Sequence, residues 1–160
     1  MQESFAVMTP VQQDDPMPRA APDWRKFLRA LADEIDAQHG GDAARDELLR
    51  AIGRRMAHLL PLPEVASMEA LSMEMNDALA AIGWGSVTLT LEEGEQRLTI
   101  VHVGLPRLGG AGEPPGLWLS ALLEGLYESW IGQQPGSDSR LVARRVRTLP
   151  GTIALRYGRA

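Results

Sequence analysis

Cysteine is absent from the 160 residues, and aromatic residues make up only 5% of them. A chain without cysteine has no disulfide framework, no cysteine-ligated metal and no thiol nucleophile. No apolar run approaches the roughly 18 residues of a membrane-spanning helix. The three histidines, His39, His58 and His102, lack the spacing of a zinc motif. The sequence therefore predicts a globular domain without a metal centre, a cofactor or a membrane span.

Lysine is nearly absent as well, since Lys26 is the single lysine among 16 basic residues. Six arginines and no acidic residue follow Asp138, whereas residues 1–138 hold ten basic and 21 acidic residues. An acidic body with a basic end suits either a nucleic acid or contact between subunits. Arg144 and Arg145 are expected on opposite faces of a strand, where they form no continuous basic platform. Subunit contact is favoured, and no nucleic-acid partner is expected.

The first 22 residues contain four of the eleven prolines, together with glutamine, aspartate and methionine. Such a composition buries too little apolar surface to form a core, so residues 1–22 are predicted to be a mobile arm. They also lack a basic start followed by an apolar core, so no secretory signal is expected. Residues 23–160 are predicted to form one domain.

Three amphipathic helices are predicted in the first half of this domain. The first runs from Asp23 to Gly40, the second from Asp42 to Leu60 and the third from Ser67 to Gly83. Their apolar residues recur at intervals of three and four, which is the period of one helix face.

The period of the apolar residues then changes to that of a strand. In WGSVTLTL and RLTIVHV, apolar residues alternate with polar ones, which predicts a hairpin with one dry face. That face holds Val87, Leu89, Leu91, Leu98, Ile100 and His102, and His102 is interpreted as a core or interface histidine rather than a catalytic one. A fourth helix ends near Ile131, and two strands follow near 141–147 and 152–157. The order predicts an α+β fold of three N-terminal helices, then a ββ-α-ββ unit with a small antiparallel sheet.

A glycine cluster, GGAGEPPG at 109–116, precedes the fourth helix. A phosphate-binding loop needs a lysine and a hydroxyl residue after its last glycine, or a G-x-G-x-x-G pattern in a βαβ unit. Here Glu113, Pro114 and Pro115 occupy the places where N–H donors should lie. The glycines are therefore interpreted as a turn or a close packing contact.

No catalytic residue is predicted. Asp33 and Asp36 cluster on the first helix, and paired carboxylates can hydrolyse glycosides. Both lie on the predicted solvent face, however, where acids are ordinarily just hydrated. The chain is expected not to be an enzyme.

Tryptophans mark the candidate contact surfaces. Trp24, Trp118 and Trp130 lie within apolar helical faces, which favours packing in the core or between subunits. The stripe of the fourth helix is wider than one sheet needs, so Leu122, Leu126 and Trp130 are predicted to contact another subunit. Exposed indoles also stack on sugars, and this alternative is assigned to Trp24 and Trp118 as glucan or partner contacts.

Five phrases of the sequence carry a family resemblance: FLRALADEIDAQHG, RDELLRAIGRRMA, IGWGSVTL, IVHVGLPRLGGAGEPPGLWL and LEGLYESWIGQQPG. They run from about Phe27 to Gly136 and resemble the D subunit of the bacterial cellulose synthase complex. The resemblance implies a non-enzymatic accessory protein that orders synthase complexes or nascent glucan chains into crystalline cellulose.

The same resemblance implies a homo-octamer built from dimers. It implies partners among the other synthase subunits, a proline-rich accessory protein and the β-1,4-glucan chain. Because no secretory signal is expected, a cytoplasmic location is favoured over a periplasmic one. The residues alone leave another class open, a small acidic α+β dimeric chaperone that holds a client segment of a secretion system.

Overall fold

The computed structural model describes residues 25–38, 42–92, 94, 97–105 and 119–159. In this part of the chain the elements are α1 (Arg25–Gln38), α2 (Asp42–Leu59), α3 (Met68–Ile82), β1 (Ser86–Glu92), β2 (Arg97–Val103), α4 (Leu119–Gly132), β3 (Leu141–Leu149) and β4 (Thr152–Arg159). The predicted order and the α+β fold class are confirmed. Among these helices none combines the length and the apolar character that crossing a membrane requires.

Some of the features predicted from sequence fall on residues outside the described ranges. They are the arm at 1–22, the cap at Asp23, the glycine cluster, Trp24 and Trp118.

The ends of α3 follow directly from local sequence. The Ser67 side chain accepts a hydrogen bond from the Ala70 N–H over 3.1 Å, which satisfies one of the free amides of the first turn. Gly83 ends the helix in the left-handed region at φ 68°, where a glycine has no steric penalty. Both predicted ends of this helix are confirmed.

The four strands form one antiparallel sheet in the order β1-β2-β4-β3. β2 and β4 are central, so that Ile100 lies opposite Leu89 on one side and Leu155 on the other. β3 pairs with β4 through an irregularity between Arg145 and Arg147. Because β1 and β3 are the edge strands, their outer backbone groups need partners from elsewhere or remain open.

One face of the sheet is buried against the helices, as the alternation predicted. Val87, Leu98, Ile100 and His102 are each 7% exposed or less. The prediction of a dry position was wrong for Leu91, which is 51% exposed. α3 is hydrogen-bonded to β1 at Val87, whereas a groove separates the helix from Leu91 further along the strand. Alternation predicts which face a residue occupies, but not whether a helix covers it.

α4 is the centre of the core. Every residue from Leu119 to Tyr127 is buried, as are Trp130 and Ile131. The helix packs against α2 on one side and against β3 and β4 on the other. Contacts within a single chain thus account for the wide apolar stripe that was predicted from sequence.

α2 and α4 approach so closely that neither helix has room for a side chain at their crossing. A Cβ atom on Gly53 would overlap the carbonyl oxygen of Leu122, and one on Gly125 would overlap the carbonyl oxygen of Arg50. The two glycines therefore let the helix backbones pack directly against each other.

We predict that Gly125→Ala lowers the free energy of unfolding by about 3 kcal/mol, because the added methyl group meets rigid backbone. Gly132→Ala is the matched control, since it lies on the same helix and a Cβ there meets nothing within 4 Å. The control should be neutral or stabilising by up to about 1 kcal/mol through helix propensity. Urea unfolding of both variants measures the difference, and equal stabilities would contradict the close helix crossing.

Candidate functional site

Four charged side chains meet where α2, α4 and β3 converge. Asp46 and Glu124 are 5% and 1% exposed. Arg50 Nε donates to Glu124 Oε2 over 2.6 Å, and Arg145 Nη2 donates to Asp46 Oδ2. Arg145 Nη1 also donates to Ser120 Oγ over 2.6 Å. Asp46, Arg50, Glu124 and Arg145 are called the buried ion cluster below.

The charges of this cluster stabilise one another. Burial disfavours the charged form of Arg50, but Glu124, Glu47 and Asp46 outweigh that effect and raise the pKa of Arg50. Both carboxylate oxygens of Glu124 accept hydrogen bonds, from the Arg50 guanidinium and from the backbone N–H of Arg145. A carboxylate saturated in this way holds elements together and is poorly suited to transfer protons to a substrate.

Two glutamates of α4 also close the free edge of β3. Glu124 Oε1 accepts from the N–H of Arg145 over 2.8 Å, and Glu128 Oε2 accepts from the N–H of Ala143 over 3.1 Å. The glutamates are one helical turn apart and the amides are two strand residues apart, so both pairs lie along one edge. The helix carboxylates take the place of a neighbouring strand.

Sequence reasoning missed these two glutamates, because it described the fourth helix as an apolar stripe. A signal was present, since acids four residues apart inside an apolar helix are costly unless cations or N–H groups meet them. The prediction that Arg144 and Arg145 lie on opposite faces is confirmed by register. Arg144 lies opposite Arg156, whereas Arg145 lies opposite the buried Leu155.

His102 and Tyr127 form a polar pair inside the core. Both side chains are fully buried, and His102 Nδ1 lies 2.6 Å from the Tyr127 hydroxyl. Burial lowers the pKa of His102 to about 4, against a smaller opposite effect of the Trp84 backbone. Burial also raises the pKa of Tyr127. The neutral histidine shares a hydrogen bond with the tyrosine hydroxyl, and the interpretation of His102 as a core residue is confirmed by its burial.

We predict that His102 makes stability depend on pH. The unfolded chain protonates this histidine near pH 6.5, whereas the folded chain does so only near pH 4. Between these values the unfolded state binds more protons, so acidification lowers the free energy of unfolding, by about 3 kcal/mol in total. His102→Asn keeps an acceptor for Tyr127 and cannot titrate. Its unfolding free energy, measured in urea from pH 7 to pH 4, should fall less than that of the unchanged chain, and parallel profiles would refute the assignment.

The three predicted subunit contacts of α4 lie inside a single chain. Leu122 is 4% exposed, and Leu126 and Trp130 are 0% exposed. Trp130 Nε1 donates to the Leu60 carbonyl over 2.8 Å, and its ring meets Tyr127 edge-on with centroids 5.9 Å apart. Their assignment to a subunit interface stays a prediction, and any contribution they make to assembly acts through the fold of the chain.

We predict that Trp130→Ala lowers the free energy of unfolding by about 3–5 kcal/mol, since it empties a large core volume and frees a buried carbonyl. Leu59→Ala is the control, because Leu59 is a large apolar residue that is 73% exposed. Thermal unfolding followed by circular dichroism compares the two. A Trp130→Ala chain as stable as the control would place the indole outside the core.

The sequence model of a family described as the D subunit of cellulose synthase matches residues 16–158. Two relatives from Komagataeibacter xylinus carry the name cellulose synthase operon protein D. One is 46% identical over 124 residues, which are 78% of this chain and 79% of the relative. The other is 47% identical over 126 residues, 79% of this chain and 80% of the relative, as is a relative of the same name from Komagataeibacter sucrofermentans. The chain belongs to the cellulose synthase D-subunit family.

The family match reaches from before α1 to the penultimate residue of β4. It therefore includes the glycine crossing, the buried ion cluster and both edges of the sheet.

Of the two acids considered for catalysis, Asp33 is described by the structure and forms an ion pair at the surface. The Asp33 side chain is 59% exposed and pairs with Arg29 one turn earlier, with 2.9 Å between Oδ1 and Nε. The side chain of Asp36 lies outside the described residues. Within the described ranges, no three His, Asp or Glu side chains converge as metal ligands would. The geometry gives Asp33 an ordinary surface ion pair.

Large apolar side chains are exposed on several elements of the described chain: Phe27, Leu31, Leu59, Met73, Leu91, Val103, Val146 and Leu149. Phe27 and Leu31 lie one turn apart on α1. Met73 and Leu91 line a groove between α3 and the edge of β1. Apolar residues exposed singly are ordinary, whereas neighbouring ones, such as Phe27 with Leu31 and Met73 with Leu91, form patches of the kind that contact other molecules.

Proposed function

We propose that this chain is a non-catalytic accessory subunit of bacterial cellulose synthesis, which orders synthase complexes or nascent glucan chains so that crystalline cellulose forms. The family match across residues 16–158 carries this proposal. The relatives named for a cellulose synthase operon support it, since they align over nearly four fifths of this chain.

The acidic side chains and the histidine of the interior are engaged in contacts between elements, which supports a role without catalysis. Buried carboxylates pair with arginines or close the edge of β3. The buried histidine holds a tyrosine hydroxyl instead of facing a cleft. Groups that would serve as acid, base or nucleophile in an enzyme thus maintain the fold.

The exposed face of α1 supports self-assembly into a homo-octamer built from dimers. Phe27 is 58% exposed and Leu31 is 42% exposed. Within the described residues, α2 is the element that α1 contacts. A helix with such an apolar face gains free energy by burying it against a second chain.

The same scaffold would have further partners. We propose that these are other synthase subunits, with a proline-rich accessory protein among them, and the β-1,4-glucan chain, which Trp24 and Trp118 would contact. A cytoplasmic location is proposed, with the periplasm as the alternative.

The acidic charge of −5 and the small α+β fold also suit a dimeric secretion chaperone, which is the second candidate function.

We predict that the full chain forms a particle of octameric mass by light scattering and that Leu31→Glu reduces this mass, because a charge is costly to bury in an apolar interface. Ala30→Glu is the matched control, since Ala30 is an exposed neighbour on the same helix. Cells carrying Leu31→Glu should make cellulose of lower crystallinity by X-ray diffraction.

Two results would count against this proposal. An unchanged chain of dimeric mass would favour the chaperone. A Leu31→Glu chain with the mass of the control would move the subunit contact away from α1.

A further inference from the structure

The two edges of the sheet are protected to different extents. At β3, Glu124 and Glu128 bond the outward N–H groups of Arg145 and Ala143. At β1, Asn76 of α3 bonds one residue, accepting from the Val87 N–H over 2.8 Å and donating to the Val87 carbonyl over 2.9 Å. At that single position Asn76 makes the two hydrogen bonds that a neighbouring strand would make.

Beyond Val87 the edge of β1 is open in the described chain. β1 and β2 pair without a register shift from Ser86 to Glu92. Residues two apart on a strand direct their N–H and C=O groups to the same side, so Leu89 and Leu91 present theirs outward as Val87 does. Two consecutive sets of backbone donors and acceptors are therefore available to an extended segment.

An apolar groove runs beside these open groups. It has a volume of about 520 Å³ and lies between α3 and β1, where Met68, Met73, Leu89 and Leu91 line it. Met73 is 68% exposed and Leu91 is 51% exposed. A second depression, of about 300 Å³, shares Met68 and Leu91 and continues the apolar surface towards Tyr157.

The two elements that form the groove carry acidic side chains and no basic ones, whereas Arg97 of β2 lies opposite Glu92 and lines the second depression. α3 carries Glu69, Glu74 and Asp77, β1 carries Glu92, and neither element has a lysine or an arginine. Glu69 lies on the groove itself, and Glu92 ends the open edge. Pairing with the β1 edge of a second copy would bring together two surfaces that both carry acidic residues, which like-charge repulsion disfavours.

We propose that the open edge of β1 binds an extended, basic segment of a partner protein as an added strand. The segment would pair its backbone with Leu89 and Leu91 and place alternate apolar side chains in the groove. Lysine or arginine between them would point to the other face of the sheet, the side on which Glu92 lies. The site goes beyond self-assembly and depends on the accessory role only for the existence of a partner, so peptide binding and particle mass are measured separately.

The test uses a fluorescent peptide of about ten residues in which valine alternates with lysine and threonine. We expect it to bind the full chain, and its counterpart with glutamate for lysine not to bind, by fluorescence anisotropy. Two N-methylated peptides test the strand geometry. The first is methylated at two central valines, and the second at the lysine and threonine beside them. Because alternate residues direct their N–H groups to opposite edges of a strand, each peptide loses the donors of one edge only. The peptide that loses the donors facing β1 should bind about tenfold more weakly, and the affinity of the other peptide should be unchanged.

Variants of Leu89 provide a second measurement. Leu89→Pro removes the outward N–H while leaving the ladder to β2 intact, since an outward N–H makes no bond there. Leu89→Val keeps the N–H and is the matched control. The proline variant should bind the parent peptide about tenfold more weakly than the control. If it fails to fold, the methylated peptides on the unchanged chain decide the question.

Three outcomes would overturn the proposal. The parent peptide could fail to bind at concentrations up to about 1 mM. The two methylated peptides could be weakened equally, which would mean binding without strand pairing. Leu89→Pro could lower the particle mass while no peptide binds, which would show that a second copy occupies the edge.

Discussion

The direct contact of two helix backbones at Gly53 and Gly125 is the constraint on which the rest of this structure depends. With no side chains between them, α2 and α4 lie close enough for Arg50 to reach Glu124, the neighbour of Gly125, over 2.6 Å. Glu124 then aligns β3 through the Arg145 amide. The buried ion cluster therefore depends on the close approach of the helices at the two glycines. With a wider helix separation, Glu124 would be buried without its cation.

A consequence is that polar side chains of the helices bond the edges of the sheet. Glu124 and Glu128 replace a fifth strand at one edge, and Asn76 does so at one residue of the other. Edge strands invite unwanted pairing, and covering them with helix side chains is one of the known protections. This cover lies at Ala143 and Arg145 on β3 and at Val87 on β1, and the uncovered part of β1 borders the apolar groove.

Sequence periodicity predicted the elements because period and caps are local properties. Ser67 and Gly83 fixed the ends of α3, and alternation placed Ile100 and His102 on the buried face. The buried ion cluster was beyond such reasoning, since Asp46 and Arg145 are 99 residues apart and meet only once the helices cross. The exposure of Leu91 depends likewise on where α3 ends its contact with β1, which no local pattern contains.

The charged residues at the β3 edge and at the β1 edge are used differently, which bears on how a protein of this family contacts its partners. The basic end predicted from sequence is partly used internally, because Arg145 is bonded to Asp46 and Arg144 to Glu128. The acidic residues of α3 have no basic neighbour on that helix or on β1, whereas Glu92 of β1 lies opposite Arg97 and accepts a hydrogen bond from the Thr99 hydroxyl over 2.6 Å. Arginines bonded to carboxylates at β3 and acidic side chains on α3 beside β1 give the two edges of the sheet different charge environments. This difference is the reason why the proposed basic segment is expected at the β1 edge.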